Sequence, residues 1–177
     1  MRKVTGRRIG AYIIDYIVIV FISSLFARIT ILNPNYDKYN EAYQEYLSNI
    51  SEKENLTTTD ITSMSYDLTK LGVNTAIINL VVSTLYFVGF QFINNGKTIG
   101  KRLLKIKIVN ENNEKPKFYQ ILIHSAVINS LVTSLVSIIL IVSLNKNNYL
   151  TYNQIVQFID LGLVFLSIGF IIFRKDG

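Results

Sequence analysis

The chain has no cysteine and a single histidine, His124, among its 177 residues. Disulfides, cysteine-ligated zinc and thiol catalysis are excluded, and one histidine does not make a zinc ligand set, so neither a metal nor a cofactor is expected. Charge is also scarce, at 17% of residues against about a quarter in soluble domains. Half of the chain is hydrophobic and its mean hydropathy is +0.32. The net charge of +6 would suit nucleic acid only if Lys and Arg were massed on a water-facing surface. Here they fall between apolar runs, so the expected partner is the lipid bilayer and not nucleic acid. No nucleophile and base constellation is visible, and the chain is not expected to be an enzyme.

A hydrocarbon layer about 30 Å thick needs roughly 20 apolar residues at ~1.5 Å each. Four runs qualify, over residues 9–32, 72–93, 118–144 and 155–173. The fold class expected is therefore an all-α polytopic membrane protein of about four transmembrane helices, forming one domain. Residues 1–8 are basic, but the run behind them is too long for a cleavable signal core and lacks an A-x-A exit, so it reads as the first anchor. A soluble protein with long apolar core helices is the alternative.

Charge sets the expected orientation. Arg2, Lys3, Arg7 and Arg8 precede the first run, and seven basic residues against Glu111 and Glu114 occupy the loop 94–117 between the second and third. Arg174 and Lys175 follow the fourth. The loop 33–71 instead has seven acids against three lysines. Cationic loops stay in the cytoplasm, so both termini and the basic loop are expected there, in a multi-pass protein of the cell membrane. The loop 33–71 is then extracytoplasmic, with a short surface helix over 39–50.

Ionisable groups within the runs are costly and mark functional candidates. Asp15, His124 and Asp160 are candidates for an ion or proton site, with Arg8 and Arg28 as supporting charges. Asp15 stands ~10 Å along the helix from Arg8, and His124 falls at a similar depth in the third run, so an inner Asp15 and His124 couple is expected. Helical side chains lean toward the N-terminus, which converges Arg28 and Asp160 into an outer pair. The plainer readings are an interfacial anchor for Asp15, an arginine reaching to the surface for Arg28 and a carbonyl-bonded imidazole for His124. Ser125, Asn129, Thr133 and Ser137 recur every four residues, and Asn153, Gln157, Asp160 and Ser167 share one face of the fourth run. Such stripes are the usual means of packing membrane helices together.

The stretch Gly96-Lys-Thr98-Ile-Gly100-Lys101 is not a phosphate-binding loop, which needs one more residue between its glycines and a hydroxyl where Arg102 stands. Its glycines suit a turn leaving the second helix. Residues 99–106 could lie along an anionic leaflet, and the alternation over 105–109 would equally suit a short strand.

Two stretches resemble the RDD family of bacterial membrane proteins. Arg8-Ile-Gly-Ala11-Tyr-Ile-Ile-Asp15 is similar to its R-x-x-A-x-x-x-D opening, and Gly96-Lys-Thr98-Ile-Gly100-Lys101-Arg-Leu103, which runs on to Val109, to the G-x-T-x-G-K-x-L start of its segment after the second helix. The resemblance marks Gly96, Thr98, Gly100 and Lys101 as a family motif loop. It implies an integral membrane protein and, as in some members, exchange of monovalent cations for protons. Many relatives carry an Arg where this chain has His124, and the family's late acid has only Asp176 to answer it. An anchor or adaptor that binds another membrane protein is the other reading. Four helices make a narrow bundle, so a conducting form is expected to be a homo-oligomer.

Overall fold

A computed structural model of the chain describes residues 2–52, 56–110, 112 and 114–173, with side chains from residue 6 to residue 166. All regular structure among them is helical.

Helix α1 (Arg2–Ala27) shows why this sequence belongs in lipid. Its buried residues are Ala11, Asp15, Ile19, Ser23 and Ala27, one stripe with a spacing of four. The other faces expose Ile9, Ile13, Tyr16, Ile17, Val20 and Phe21. In water so large an apolar surface would drive aggregation, whereas in a bilayer it is the natural exterior. The stripe's small residues admit close neighbours: Ser23 Oγ donates to Asn79 Oδ1 at 3.1 Å, and Ile19 packs with Tyr86 and Phe87. The helix ends before the expected residue 32 because the chain turns back on itself. Asn33 is buried, and its Nδ2 donates to the Ala27 carbonyl at 3.1 Å and to Thr75 Oγ1 at 2.9 Å.

The loop 33–71 is more ordered than a lone surface helix. It forms a hairpin of α2 (Tyr36–Glu52) and α3 (Thr58–Leu71). A capping box starts α3, with the Asp60 amide donating to Thr57 Oγ1 and the Thr57 amide to Asp60 Oδ2. Two free amides of the first turn are satisfied this way.

Helix α4 (Val73–Thr84) runs through a π-helical stretch (Leu85–Phe90) into α5 (Gln91–Ile93). The π turn carries extra residues per turn, and Tyr86, Phe87 and Val88 are all buried there. Gly96 then reverses the chain at φ 79°, and a Cβ on it would meet the Ile108 carbonyl. The short α6 (Ile99–Leu103) follows. Residues 106–110 are neither strand nor helix: the Ile106 amide donates to Lys101 O and that of Ile108 to Gly96 O, folding the segment onto its own motif.

Helices α7 (Phe118–Ile128) and α8 (Leu131–Ser143) divide the third apolar run. They meet at 61° across Ser130, whose φ of 51° is left-handed. Helix α9 (Lys146–Phe173) closes the described chain. It packs on α8, with Ser137 Oγ donating to Asn153 Oδ1 at 2.9 Å. Tyr66 of α3 joins Ile141 and Tyr149 in a cluster where the hairpin meets α8 and α9. Gly6–Ala27 and Val73–Ile93 are long and apolar enough to cross a membrane, and the bent α7 and α8 pair makes a third candidate if it is one span.

Candidate functional site

Asp15 is the most completely enclosed charge-bearing group of the described chain, 1% exposed. Its Oδ1 accepts from the Tyr86 hydroxyl at 2.6 Å and from the Gly100 amide at 2.7 Å, and its Oδ2 accepts from Thr98 Oγ1 at 2.5 Å. The Tyr86 oxygen in turn accepts from the Ile99 amide at 3.0 Å, and Thr98 Oγ1 accepts from the Lys101 amide at 3.3 Å. The three consecutive amides of 99–101 are thus all satisfied, by a phenol, a carboxylate and a hydroxyl. Amides at a helix start lack intrahelical partners and favour negative charge.

Gly100 is required for this approach. A Cβ there would sit 2.2 Å from the Ala11 carbonyl and 2.9 Å from Asp15 Oδ1. Ala11, Asp15, Thr98 and Gly100, far apart in sequence, therefore form one latch that holds α6 against α1. The second glycine of the motif is a packing residue, and only Gly96 makes a turn.

Beside the latch, Lys101 Nζ donates to Gln91 Oε1 at 2.7 Å. Burial pushes the Lys101 ammonium down to about 8, while the Asp15 charge acts in the opposite sense. Gln91 is 0% exposed and its Nε2 has no partner among the described residues; neither has the buried Nδ1 of His124. The charges within reach of His124 are those of Lys101 and Arg8. The expected Asp15 and His124 couple is thus replaced. Depth alone put the two together, but the motif loop folds back and occupies the carboxylate.

The expected Arg28 and Asp160 pair is not formed either. Arg28 is exposed and lies beside the Tyr36 hydroxyl, which Asn40 and then Arg28 hold below its ordinary range. Asp160 accepts from Ser130 Oγ at 3.0 Å and from Thr133 Oγ1 at 2.7 Å, and it lies within electrostatic reach of Tyr12. The discrepancy has a simple cause. A fourth span beginning at residue 155 would put Asp160 one turn inside it, but α9 begins at Lys146, which carries Asp160 ~21 Å along the helix. The carboxylate faces the break between α7 and α8. Asn129, beside Ser130, and Tyr12 line a cavity of about 130 Å³ that Asp160 itself does not line, with Tyr16, Asn79, Ser83 and Ser134 among apolar side chains such as Leu80 and Phe87 in its wall. That volume has room for several waters among polar partners. Asp176 lies outside the described residues.

Tyr86 and Gln91 are the site residues that the sequence did not single out. Gln91 had a visible signal, as one of few polar groups in an apolar run. Tyr86 had none, since one tyrosine among eleven gains its role only from the π turn.

Apolar helices with lipid-facing exteriors, joined by a segment latched to a buried carboxylate, define a helical integral membrane protein. The chain belongs to the RDD family, whose model matches residues 3–176. No curated protein and no solved structure matches it.

Proposed function

We propose that this protein moves a monovalent cation or a proton across the bacterial cell membrane through a site centred on Asp160. The observation that carries the reading is a carboxylate held by two hydroxyls, Ser130 Oγ and Thr133 Oγ1, at the 61° break between α7 and α8. A hydroxyl that donates to a carboxylate can rotate and offer its oxygen to a cation instead. Broken helices supply backbone carbonyls for the same purpose in membrane transporters. Asp15 has a separate part, because its oxygens already meet donors from Tyr86, Thr98 and Gly100.

In this reading α1, α4 with α5, α7 with α8, and α9 are four crossings. The positive-inside rule keeps the termini and 94–117 in the cytoplasm and places the α2 and α3 hairpin outside. His124, with the Lys101 and Arg8 charges near it, lies toward the cytoplasmic side. A bundle this narrow is proposed to conduct as a homo-oligomer, without cofactor or enzymatic step.

The test is sodium and proton flux in proteoliposomes under imposed gradients, with Asp160→Asn and Asp15→Asn beside the wild type. Flux should vanish in Asp160→Asn while the protein remains monodisperse. A silent wild type, or an Asp160→Asn variant that matches it, refutes transport through this site.

One observation favours a second reading, a non-transporting anchor or adaptor. The latch fixes α6 against α1 while Lys97, Arg102, Lys105 and Lys107 stay exposed, a basic surface suited to an acidic membrane-protein partner. This predicts a co-purifying partner lost on Lys105→Glu with Lys107→Glu, and no flux.

A further inference from the structure

Helix α2 has three distinct faces. Tyr39, Ala42, Tyr46 and Asn49 are half-buried at the spacing of one stripe and pack toward α3. Asp37, Glu41, Glu45 and Glu52 are all exposed and fall on a second stripe. Tyr43, Leu47 and Ile50 form a third ridge at i, i+4 and i+7, exposed by 40%, 43% and 44%. At 100° per residue the ridge lies nearly opposite the acids.

Where this helix begins is fixed by contacts with the ends of the apolar helices. Asn33 is bonded to Ala27, the last residue of α1, and to Thr75 in the first turn of α4. Tyr36 lies beside Arg28, and the Tyr39 ring lies against Gly72, the residue before α4. The first turn of α2 is thus level with the ends of two membrane-length helices. Between α1 and α2 the chain also exposes Ile29, Ile31 and Leu32, the second of these by 93%, so the apolar exterior of α1 continues toward the ridge.

We propose that α2 lies in the membrane interface with Tyr43, Leu47 and Ile50 among the headgroups and upper acyl chains. The occupant of the ridge is lipid. Tyrosine suits that boundary because its ring is apolar and its hydroxyl wet. An amphipathic helix gains there in proportion to the apolar area it removes from water. The acidic stripe opposite faces the aqueous phase. The interfacial helix would set the depth at which α1 and α4 end. This inference rests on the chain being a membrane protein and is independent of transport.

The chain contains no tryptophan, so a single substitution gives a reporter with no background. Tyr43→Trp, Leu47→Trp and Glu45→Trp are reconstituted separately into phosphatidylcholine vesicles. Tryptophan at 43 and at 47 should emit to the blue of that at 45, lose most of its fluorescence to bromine-labelled lipid and resist aqueous iodide. Tryptophan at 45 should show the reverse. Two results overturn the proposal. One is iodide access at 43 and 47 equal to that at 45. The other is blue-shifted emission at 43 and 47 that bromolipid leaves intact, which would assign the ridge to protein contact with a second copy or another chain.

Discussion

Replacing Asp15 with Asn changes one oxygen to an amide nitrogen and removes a charge from the latch. Oδ1 can still accept from the Tyr86 hydroxyl and the Gly100 amide, now as neutral bonds. The new NH2 faces Thr98 Oγ1, which must turn to accept it while already accepting from the Lys101 amide. A hydrogen bond to a charged group contributes about 1.5–3 kcal/mol net and a neutral one about 0.5–1.5 kcal/mol. Over the three bonds to Asp15, the difference comes to roughly 3–4.5 kcal/mol. That loss falls on the contact between α6 and α1, while the apolar packing of Ile19 with Tyr86 and Phe87 stays intact. Local opening should therefore precede global unfolding. Limited trypsinolysis in detergent should cut Asp15→Asn after Lys101 and Arg102 much faster than wild type, with a lowered unfolding temperature. Tyr86→Phe, which removes one donor to Asp15 and the acceptor of the Ile99 amide, should fall between the two. Equal cleavage rates for wild type and Asp15→Asn would refute the latch.

Gly100→Ala places a methyl 2.2 Å from the Ala11 carbonyl, a backbone atom with no side-chain freedom. It should open the same segment at least as far as Asp15→Asn, and wild-type trypsin resistance in this variant would disprove the close approach. Lys101 yields a pH prediction. Burial lowers its folded-state value from 10.5 to about 8, so between these limits the unfolded chain binds more protons and stability rises with pH. The penalty for burying the charge is in full force below pH 8 and fades toward 10.5. Thermal unfolding in detergent should show wild type gaining on Lys101→Met across that window, and parallel curves would contradict the burial.

Much of the architecture was legible because lipid imposes simple length and polarity rules. The run 72–93 corresponds closely to the continuous helix Val73–Ile93, and the polar stripes meet as packing predicts, Ser137 on Asn153 and Thr133 on Asp160. The errors arose where one boundary or one backward fold changed the register. Beginning the last helix at 155 instead of Lys146 moved Asp160 by nine residues and gave it the wrong neighbour. Treating 94–117 as a surface loop left Asp15 to be paired with His124, when the donors were Thr98 and Gly100 of that loop. The motif residues were recognised, but their spatial meeting with Asp15 was not, because hydrogen bonds across 83 and 85 residues leave no trace in local periodicity.

The buried Asp15 and the half-buried Asp160 differ in a way that bears on their roles. Asp15 accepts a main-chain amide as well as hydroxyls, and an amide can only donate, so part of its coordination is fixed as long as α6 keeps its place. Asp160 accepts from hydroxyls, each able to reverse its polarity by rotation about one bond. Thr133 Oγ1 is also within 3.1 Å of the Ser130 carbonyl, and its single hydrogen has an alternative acceptor whenever Asp160 takes another ligand. A carboxylate whose donors have somewhere else to go can exchange what it binds without breaking the backbone around it. This asymmetry suits Asp15 to a rigid role and Asp160 to the exchange proposed above. Under that proposal, conservative loss of a hydroxyl, Thr133→Val, should lower sodium or proton flux in proteoliposomes while leaving the trypsin resistance of 101–107 as it was.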